Sequence, residues 1–307
     1  MNLTATLYFM QVSEIRISDV QVCNSTGVGL LGINALSSLS QTTFTANAPN
    51  CILMFSDNPP FLTTLHTTQT ITDSIFQFGF PPKNTGYASG LTMVFTQTMY
   101  IIDVNVSNIT VRSNKGDNDD SPGNMLVTLD KCSYQCTSIE MYRVNSTGAV
   151  GDGMALEVRD ISGVMQCNES CVKSSTSSTN TSIVECNFSS NSGRGIFILQ
   201  ITVIILKFRI ESTTFHSNVK DGLYSGYKNY IDLVDTSFSQ SQRTAITAYS
   251  TRLNFLRNNT FAMNTGYWGA VILVASVANF YGNTKFIGNK EETGEWCYCS
   301  HIFYTNV

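Results

Sequence analysis

The chain reads LNFLRNNTFAMNTGYWGAVILVASVANFYGNTKFIGN from Leu253 to Asn289. This stretch holds two doublets of the pattern Phe-x-x-Asn, and the second doublet, at Phe280 and Phe286, repeats the spacing of the first, at Phe255 and Phe261. Nine of the 18 phenylalanines in the chain stand three positions before an asparagine, whereas the composition alone predicts about two. Regularity of this kind predicts a repeat architecture.

Two columns of residues follow when the same spacing is extended toward the amino terminus, with steps of nearly constant length. The first column contains Phe208, Ile231, Phe255, Phe280 and Phe303. The second contains Tyr142, Met165, Phe188, Phe215, Phe238, Phe261 and Phe286. Asparagines stand three positions after most members of the second column, and one more extends the series: Asn114, Asn145, Asn168, Asn191, Asn218, Asn264 and Asn289.

Short runs of β-branched and aromatic residues lie between the columns, for example Ile201–Leu206, Gly269–Val274 and Tyr100–Val104. Such runs, bounded by Gly, Asn and Ser, are typical of strands. No window has the periodicity and caps of a long helix. Several short strands in each repeat predict an all-β fold, a single-stranded right-handed parallel β-helix of about 11–12 coils.

Stacked coils are separated by the ~4.8 Å spacing of neighbouring strands, so equivalent side chains lie above one another. We therefore expect an interior stack of Phe188, Phe215, Phe238, Phe261 and Phe286. The asparagine series is expected to form a ladder of amide hydrogen bonds along one corner. Asparagine also suits a corner because it tolerates left-handed backbone.

Phe261-Ala262-Met263-Asn264 precedes Gly269-Ala270-Val271, and Phe188-Ser189-Ser190-Asn191 precedes Gly195-Ile196. Phe-x-x-Asn followed by Gly-Ala-Ile/Val resembles the repeat of the polymorphic outer-membrane proteins. The resemblance covers roughly residues 183–306 and implies a right-handed β-helix of the pectin-lyase-like kind in an extracellular setting. It implies no catalytic residue, because that repeat motif is structural.

A solenoid grows by addition, so residues 1–307 are predicted to form one domain. Residues 183–306 are the most regular, and residues 1–125 are irregular. Four insertions are expected to leave the stack as loops that carry binding: Asp57–Pro60, Gly79–Gly90, Lys115–Asn124 and Gln166–Ser182. The first residues lack the features of a signal peptide, and the chain stops inside a new repeat at Phe303. These two ends predict a fragment of a longer chain.

Composition restricts the partners. The net charge is −4 and charged residues make up 13 % of the chain, so no basic field is available for nucleic acid. The apolar run 196–206 is shorter than the ~20 residues of a membrane span. The partners expected are a carbohydrate or a cell-surface protein, and no cofactor or catalytic metal is predicted.

Nine cysteines favour an oxidising compartment, and hence an extracellular or cell-surface location with disulfides. Nine is odd, so at least one thiol has no partner within the chain. Buried thiols remain an alternative. A four-thiolate zinc site is the least favoured reading, with Cys132, Cys136, Cys167 and Cys171 as its ligands. Among the Asn-x-Ser/Thr sequences, the candidate glycosylation sites are Asn180, Asn108 and Asn24.

Candidate chemistry is sparse. Asp117, Asp119 and Asp120 predict a solvated acidic loop, with a weak calcium site as the alternative. The enzyme hypothesis would be favoured if Lys207, Arg209, Asp232 and Asp235 met in one cleft. The three histidines, His66, His216 and His301, lack catalytic neighbours in sequence, and His216 is predicted to face outward. For Tyr224, Tyr227 and Tyr230, packing is favoured over a sugar-binding platform.

Two hypotheses therefore describe the function. The first is a non-enzymatic extracellular β-helix scaffold that displays loops for adhesion or recognition. The second is a carbohydrate-active enzyme, a polysaccharide lyase or glycoside hydrolase. It predicts at least three charged side chains that converge from adjacent coils on one sheet.

Overall fold

The computed structural model describes residues 4–12, 14–35, 37–56, 66–81, 86–96, 101–118, 120–130, 137–159, 180–201, 206–266 and 270–291. In these ranges all named elements are strands. The same ranges hold no helix that is long and apolar enough to cross a membrane.

Thirty of the 32 described strands form three sheets, A, B and C, of ten strands each, and the other two form a small separate sheet; all neighbouring strands are parallel. Each coil supplies one strand to each sheet in the same order, which is the topology of a right-handed parallel β-helix. The all-β prediction is therefore confirmed. The described residues complete ten coils.

The first five coils have these strands in the order A, B, C. Coil 1 has β1 (Ala5–Met10), β2 (Ile15–Ser18) and β3 (Gln21–Cys23). Coil 2 has β4 (Val28–Ile33), β5 (Ser37–Ser40) and β6 (Thr43–Thr45). Coil 3 has β7 (Cys51–Ser56), β8 (His66–Thr72) and β9 (Ile75–Gln77). Coil 4 has β10 (Leu91–Thr96), β11 (Ile101–Ser107) and β12 (Thr110–Arg112). Coil 5 has β13 (Pro122–Asp130), β14 (Thr137–Tyr142) and β15 (Asn145–Thr147).

The next five coils continue the order. Coil 6 has β16 (Asp152–Arg159), β17 (Asn180–Val184) and β18 (Asn187–Ser189). Coil 7 has β19 (Ile196–Ile201), β20 (Leu206–Glu211) and β21 (Thr214–His216). Coil 8 has β22 (Asp221–Ser225), β23 (Asn229–Val234) and β24 (Ser237–Ser239). Coil 9 has β25 (Thr244–Tyr249), β26 (Arg252–Arg257), β27 (Asn259–Ala262) and the short β28 (Thr265–Gly266). Coil 10 has β29 (Val271–Val274), β30 (Val277–Phe280), β31 (Thr284–Ile287) and β32 (Lys290–Glu291), which pairs with β28.

The interior is a continuous apolar column that runs from Ile15 to Ala278. On sheet C the phenylalanines stand in direct register and their rings stack nearly parallel. The centroids are 4.5 Å apart between Phe215 and Phe238, 5.0 Å between Phe238 and Phe261, and 5.6 Å between Phe188 and Phe215. Phe286 stacks on Phe261 at 4.8 Å and is itself 49 % exposed.

Buried asparagines link the coils beside this stack. The side-chain Oδ1 of Asn218 accepts hydrogen bonds from the backbone and side-chain N–H groups of Asn191, and Asn218 Nδ2 donates to the carbonyl of Phe188 at 3.0 Å. Asn289 bonds Asn264 and Phe261 in the same manner. Each amide therefore satisfies backbone groups that the corner leaves unpaired.

The left-handed backbone conformation falls on a different residue from the one expected. In each Phe-x-x-Asn corner of sheet C it is the residue before the asparagine that has positive φ: 56° at Ser190, 52° at Ser217 and 52° at Met263. The asparagine is therefore selected for its buried amide and not for its backbone freedom.

The ladder is built differently toward the amino terminus. Asn114 is in it, but its side chain donates to Asn124 and accepts from Asn50, two residues outside the predicted series. Asn145 was expected in the ladder, yet it is the first residue of β15, is only partly buried and accepts from the side chain of Asn187. Asn168 lies outside the described residues.

The register explains this difference. Phe188 pairs with Ser146, not with Met165 or Tyr142, and Tyr142 lies in sheet B opposite Ser107. The step from Ser146 to Phe188 is a single coil, although it is nearly two repeat periods long in sequence, because the coil includes most of the insertion Gln166–Ser182. Because the insertion is nearly as long as a coil, the repeat period predicts one coil too many between Tyr142 and Phe188. Upstream of Ser146 the strand register carries the column through Val111 to Phe76 and Phe44, whose rings stack at 5.4 Å.

Phe238→Ala removes a fully buried ring from between two stacked neighbours. We expect it to lower the free energy of unfolding by about 3–5 kcal/mol, because the rigid stack cannot close over the cavity. Urea denaturation measures the change. Phe286→Ala is the matched control and should cost clearly less, since half of that ring is already exposed; equal losses would contradict the interior stack.

Ser241 interrupts the ladder between Asn218 and Asn264, and its buried hydroxyl has no hydrogen-bond partner. Ser241→Asn would supply an amide at the height of that gap. We expect this substitution to stabilise the protein by about 1 kcal/mol, the net value of a typical buried hydrogen bond. Thermal and urea unfolding measure it, with Ser241→Ala as a control that adds no amide; destabilisation by asparagine would contradict the ladder.

Candidate functional site

Charged side chains converge at the corner where the chain passes from sheet C to sheet A. We call this group the ionic corner; it comprises Asp120, Asp152, Arg194, Lys220 and Asp221. Asp152 opens β16, Asp221 opens β22 and Arg194 lies two positions before β19. Because consecutive coils repeat the same corner, these residues lie one above another on the rod.

Arg194 is the centre of the ionic corner. Its guanidinium lies 3.3 Å from Asp152 Oδ2, 3.2 Å from Asp120 Oδ1 and 3.9 Å from Asp221 Oδ2. The backbone N–H of Arg194 also donates to Asp152 Oδ1 at 2.7 Å. Lys220 Nζ approaches Asp120 Oδ1 at 2.6 Å. One cation therefore connects carboxylates from three different coils.

Burial divides the carboxylates into two kinds. The side chains of Asp152 and Asp221 are 0 % and 1 % exposed, while Asp120 is 68 % exposed. Burial raises the pKa of Asp152 to about 6, although Arg194 acts against the rise. Burial also raises the pKa of Asp221, with Arg243 and Arg194 opposing it. The hydrogen bond from Lys220 lowers the pKa of Asp120.

Three aromatic rings lie next to the ionic corner on the outer face of sheet A. We call them the aromatic ladder: Phe197, Tyr224 and Tyr249, from coils 7, 8 and 9. Their centroids are 5.2 Å and 5.6 Å apart, and the rings are tilted by 45° and 43°. The Arg194 guanidinium lies 4.5 Å from the Phe197 centroid and 5.1 Å from that of Tyr224. The ladder and the corner are therefore one continuous surface.

Sequence reasoning missed most of this site. Asp152, Arg194 and Asp221 each stand before a glycine, in corners that resemble ordinary loops. A usable signal was present, because Arg194 and Asp221 each follow a ladder asparagine by three positions. The acidic loop was expected to be solvated. Asp117 is exposed as expected, but Asp120 is bound by two cations, and Asp119 lies outside the described residues.

The four charged residues proposed for an enzymatic cleft do not meet. Arg209 and Asp232 are register partners on sheet B, where Asn254 donates to Asp232 at 2.7 Å. Asp235 occupies the next corner with φ 50° and is bound by Arg257 at 2.9 Å. Lys207 pairs with Tyr230 instead. The face is polar, but its charges are spread over two columns and a corner.

The three tyrosines suggested as a sugar platform also separate. Tyr224 is on sheet A, Tyr230 is on sheet B, and Tyr227 is 61 % exposed in the turn between them. Among the histidines, partly buried His216 is paired with Ser239 Oγ at 2.9 Å on the outside of sheet C. His66 opens β8, and His301 lies outside the described residues.

Three cysteines fall within the described residues, and all three are thiols: Cys23 is exposed, Cys51 and Cys186 are buried. Burial raises the pKa of Cys51 and raises that of Cys186 to about 11, so both are unreactive at neutral pH. The disulfide prediction fails for these three. The proposed zinc ligands Cys132, Cys136, Cys167 and Cys171 lie outside the described residues, which themselves contain no cluster of metal-ligating side chains.

Two of the candidate glycosylation sites are exposed corners. Asn24 and Asn108 are exposed and have φ of 56° and 51°. Asn180 is the first residue of β17.

Comparison with family models agrees with the fold. A model described as a right-handed beta helix region matches residues 170–306. Among solved structures, ORF18 of Geobacillus virus E2 is 9 % identical with a TM-score of 0.31, covering 92 % of this chain and 52 % of that one. The chain thus spans about half the length of that protein. A search of curated proteins gave no match.

The raised pKa of Asp152 predicts a pH dependence of stability. Between its ordinary value of 3.8 and about 6, the folded protein holds more protons at this group than the unfolded chain. The free energy of unfolding should therefore rise as the pH falls through this window, by up to about 3 kcal/mol from this group.

Asp152→Asn isolates the effect, because it keeps an oxygen that accepts from Arg194 N–H and removes the titration. Urea denaturation of both proteins from about pH 7 down to about pH 4 measures the difference. The wild type should gain stability relative to the variant on acidification; a constant difference would contradict the raised pKa.

Proposed function

We propose that the chain is a non-enzymatic extracellular β-helix scaffold that displays its outer faces and loops for recognition. The observation that carries the proposal is that the buried charges of the ionic corner are paired with one another. Asp152 and Asp221 are buried and directed at Arg194, so their charge serves to hold coils together. A rigid stack with internally satisfied charges suits display better than turnover, and the expected partner is a carbohydrate or a cell-surface protein.

The extracellular location is part of the same proposal. It rests on the nine cysteines and on the exposed acceptor sequences at Asn24 and Asn108. The free thiols of Cys23, Cys51 and Cys186 give it no support. The likeness of the Phe-x-x-Asn repeats to those of polymorphic outer-membrane proteins is in keeping with a surface role.

A carbohydrate-active enzyme is the second candidate, and one observation favours it. Three carboxylates and two cations converge from neighbouring coils, and the pKa of Asp152 is raised to about 6, as for a general acid. Hydrolysis of a glycosidic bond requires two carboxyl groups that flank the substrate. Arg194 occupies the space between Asp152 and Asp221, which argues against that role.

Incubation with a panel of polysaccharides tests the choice. The panel contains neutral glucans, xylans and mannans together with polygalacturonate, and new reducing ends and unsaturated uronides are measured. We expect no turnover by the wild type above the level of Asp152→Asn and Asp221→Asn. Turnover that these two variants abolish, while an Asp232→Asn control retains it, would establish the enzyme instead.

A further inference from the structure

We propose that the aromatic ladder, together with the exposed groups of the ionic corner, binds a neutral polysaccharide chain that crosses coils 7, 8 and 9 on the outside of sheet A. This rests on the proposed recognition role and specifies its ligand. The rings of Phe197, Tyr224 and Tyr249 are partly exposed on the outer face of sheet A. Rings that combine an apolar body with a hydroxyl are suited to surfaces that are apolar on one side and polar on the other.

The spacing of the rings favours a sugar chain. Their centroids are 5.2 Å and 5.6 Å apart, which is close to the length of one pyranose unit in an extended polysaccharide. Phe197 and Tyr224 are register partners on neighbouring coils, so these two rings repeat in the direction of the rod. The register partner of Tyr224 in the next coil is Thr247, so Tyr249, two positions further on, continues the row obliquely. A pyranose ring presents a face of C–H groups to an aromatic ring and its hydroxyls at the edge.

Charge decides between neutral and acidic ligands. Asp120, Asp152 and Asp221 balance Arg194, Lys220 and the exposed Arg243, which acts on Asp221 from the next coil. The local sum is zero, so an acidic polysaccharide or a nucleic acid would gain no net attraction. Exposed Asp120 and partly exposed Lys220 instead offer an acceptor and a donor to sugar hydroxyls.

The site is also held rigid before a ligand arrives. Arg194 contacts the rings of Phe197 and Tyr224 and is fixed by carboxylates from three coils. Rigid side chains lose little conformational entropy on binding. A protein partner would need about 1,000 Å² of buried surface with an apolar centre, and a row of three partly exposed rings is a narrow basis for one.

Affinity electrophoresis and calorimetry with neutral glucan, xylan and mannan, and with polygalacturonate as the acidic comparison, test the proposal. Tyr224→Ala and Tyr249→Ala should weaken binding of a neutral polysaccharide about tenfold or more, whereas Tyr249→Phe, which keeps the ring, should retain most of it. Tyr8→Ala is the matched control, because Tyr8 is 54 % exposed on the outer face of sheet A in coil 1. Circular dichroism verifies that each variant is folded.

Binding of a neutral polysaccharide that both alanine variants weaken and Tyr8→Ala leaves unchanged supports the proposal. It is overturned if no neutral polysaccharide binds, if only polygalacturonate binds, or if the ladder variants bind like the wild type. Cleavage of a bound polysaccharide would refute the non-enzymatic function but not the proposal that the aromatic ladder binds the polysaccharide. If no neutral polysaccharide binds and none is cleaved, the binding proposal is refuted and the scaffold function is not.

Discussion

Each coil of this protein lies directly on the coil before it, in parallel register, so that a side chain has the equivalent residue of the next coil above and below it. Hydrogen bonds between parallel strands fix that distance near ~4.8 Å. Aromatic rings can stack at this separation, as Phe215, Phe238 and Phe261 do at 4.5 Å and 5.0 Å. Buried amides can also bond across it, as Asn191 and Asn218 do. The Phe-x-x-Asn pattern recurs in the sequence because each coil places a stacking ring and a bonding amide at the same positions.

The same constraint builds the candidate site. Residues that are far apart in sequence, such as Asp120 and Lys220, meet because they occupy equivalent corners of different coils. Burying two carboxylates such as Asp152 and Asp221 is costly unless a cation pairs with them. Arg194 supplies that cation, because coil 7 lies between the coils of the two aspartates. Its delocalised guanidinium can at once pair with several acids and stack on Phe197 and Tyr224.

Local patterns were reliable where the repeat is short and regular. From Phe188 to Phe286 the predicted column is the observed one, because each coil there adds a single repeat period without a long insertion. Upstream, the coil that contains most of Gln166–Ser182 is nearly two periods long. The spacing therefore predicts Tyr142 in the column and Asn145 in the ladder, whereas the residue in register with Phe188 is Ser146. Counting residues cannot separate a second coil from a loop of the same length. Hydrogen-bond register separates them, because only the coil pairs with its neighbours.

The sequence by itself determined the parallel β-helix, the phenylalanine stack and the downstream amide ladder, since these depend on residue type repeated at one interval. Tertiary structure alone decided which of the described thiols are buried and which charges meet. The ladder asparagine three positions before Arg194 and Asp221 marks the corner in the sequence, but no pattern shows that these side chains and Asp152 are brought together. The burial of these groups and the raised pKa values of the two carboxyls arise only when three coils close over them, because desolvation depends on neighbours that are distant along the chain.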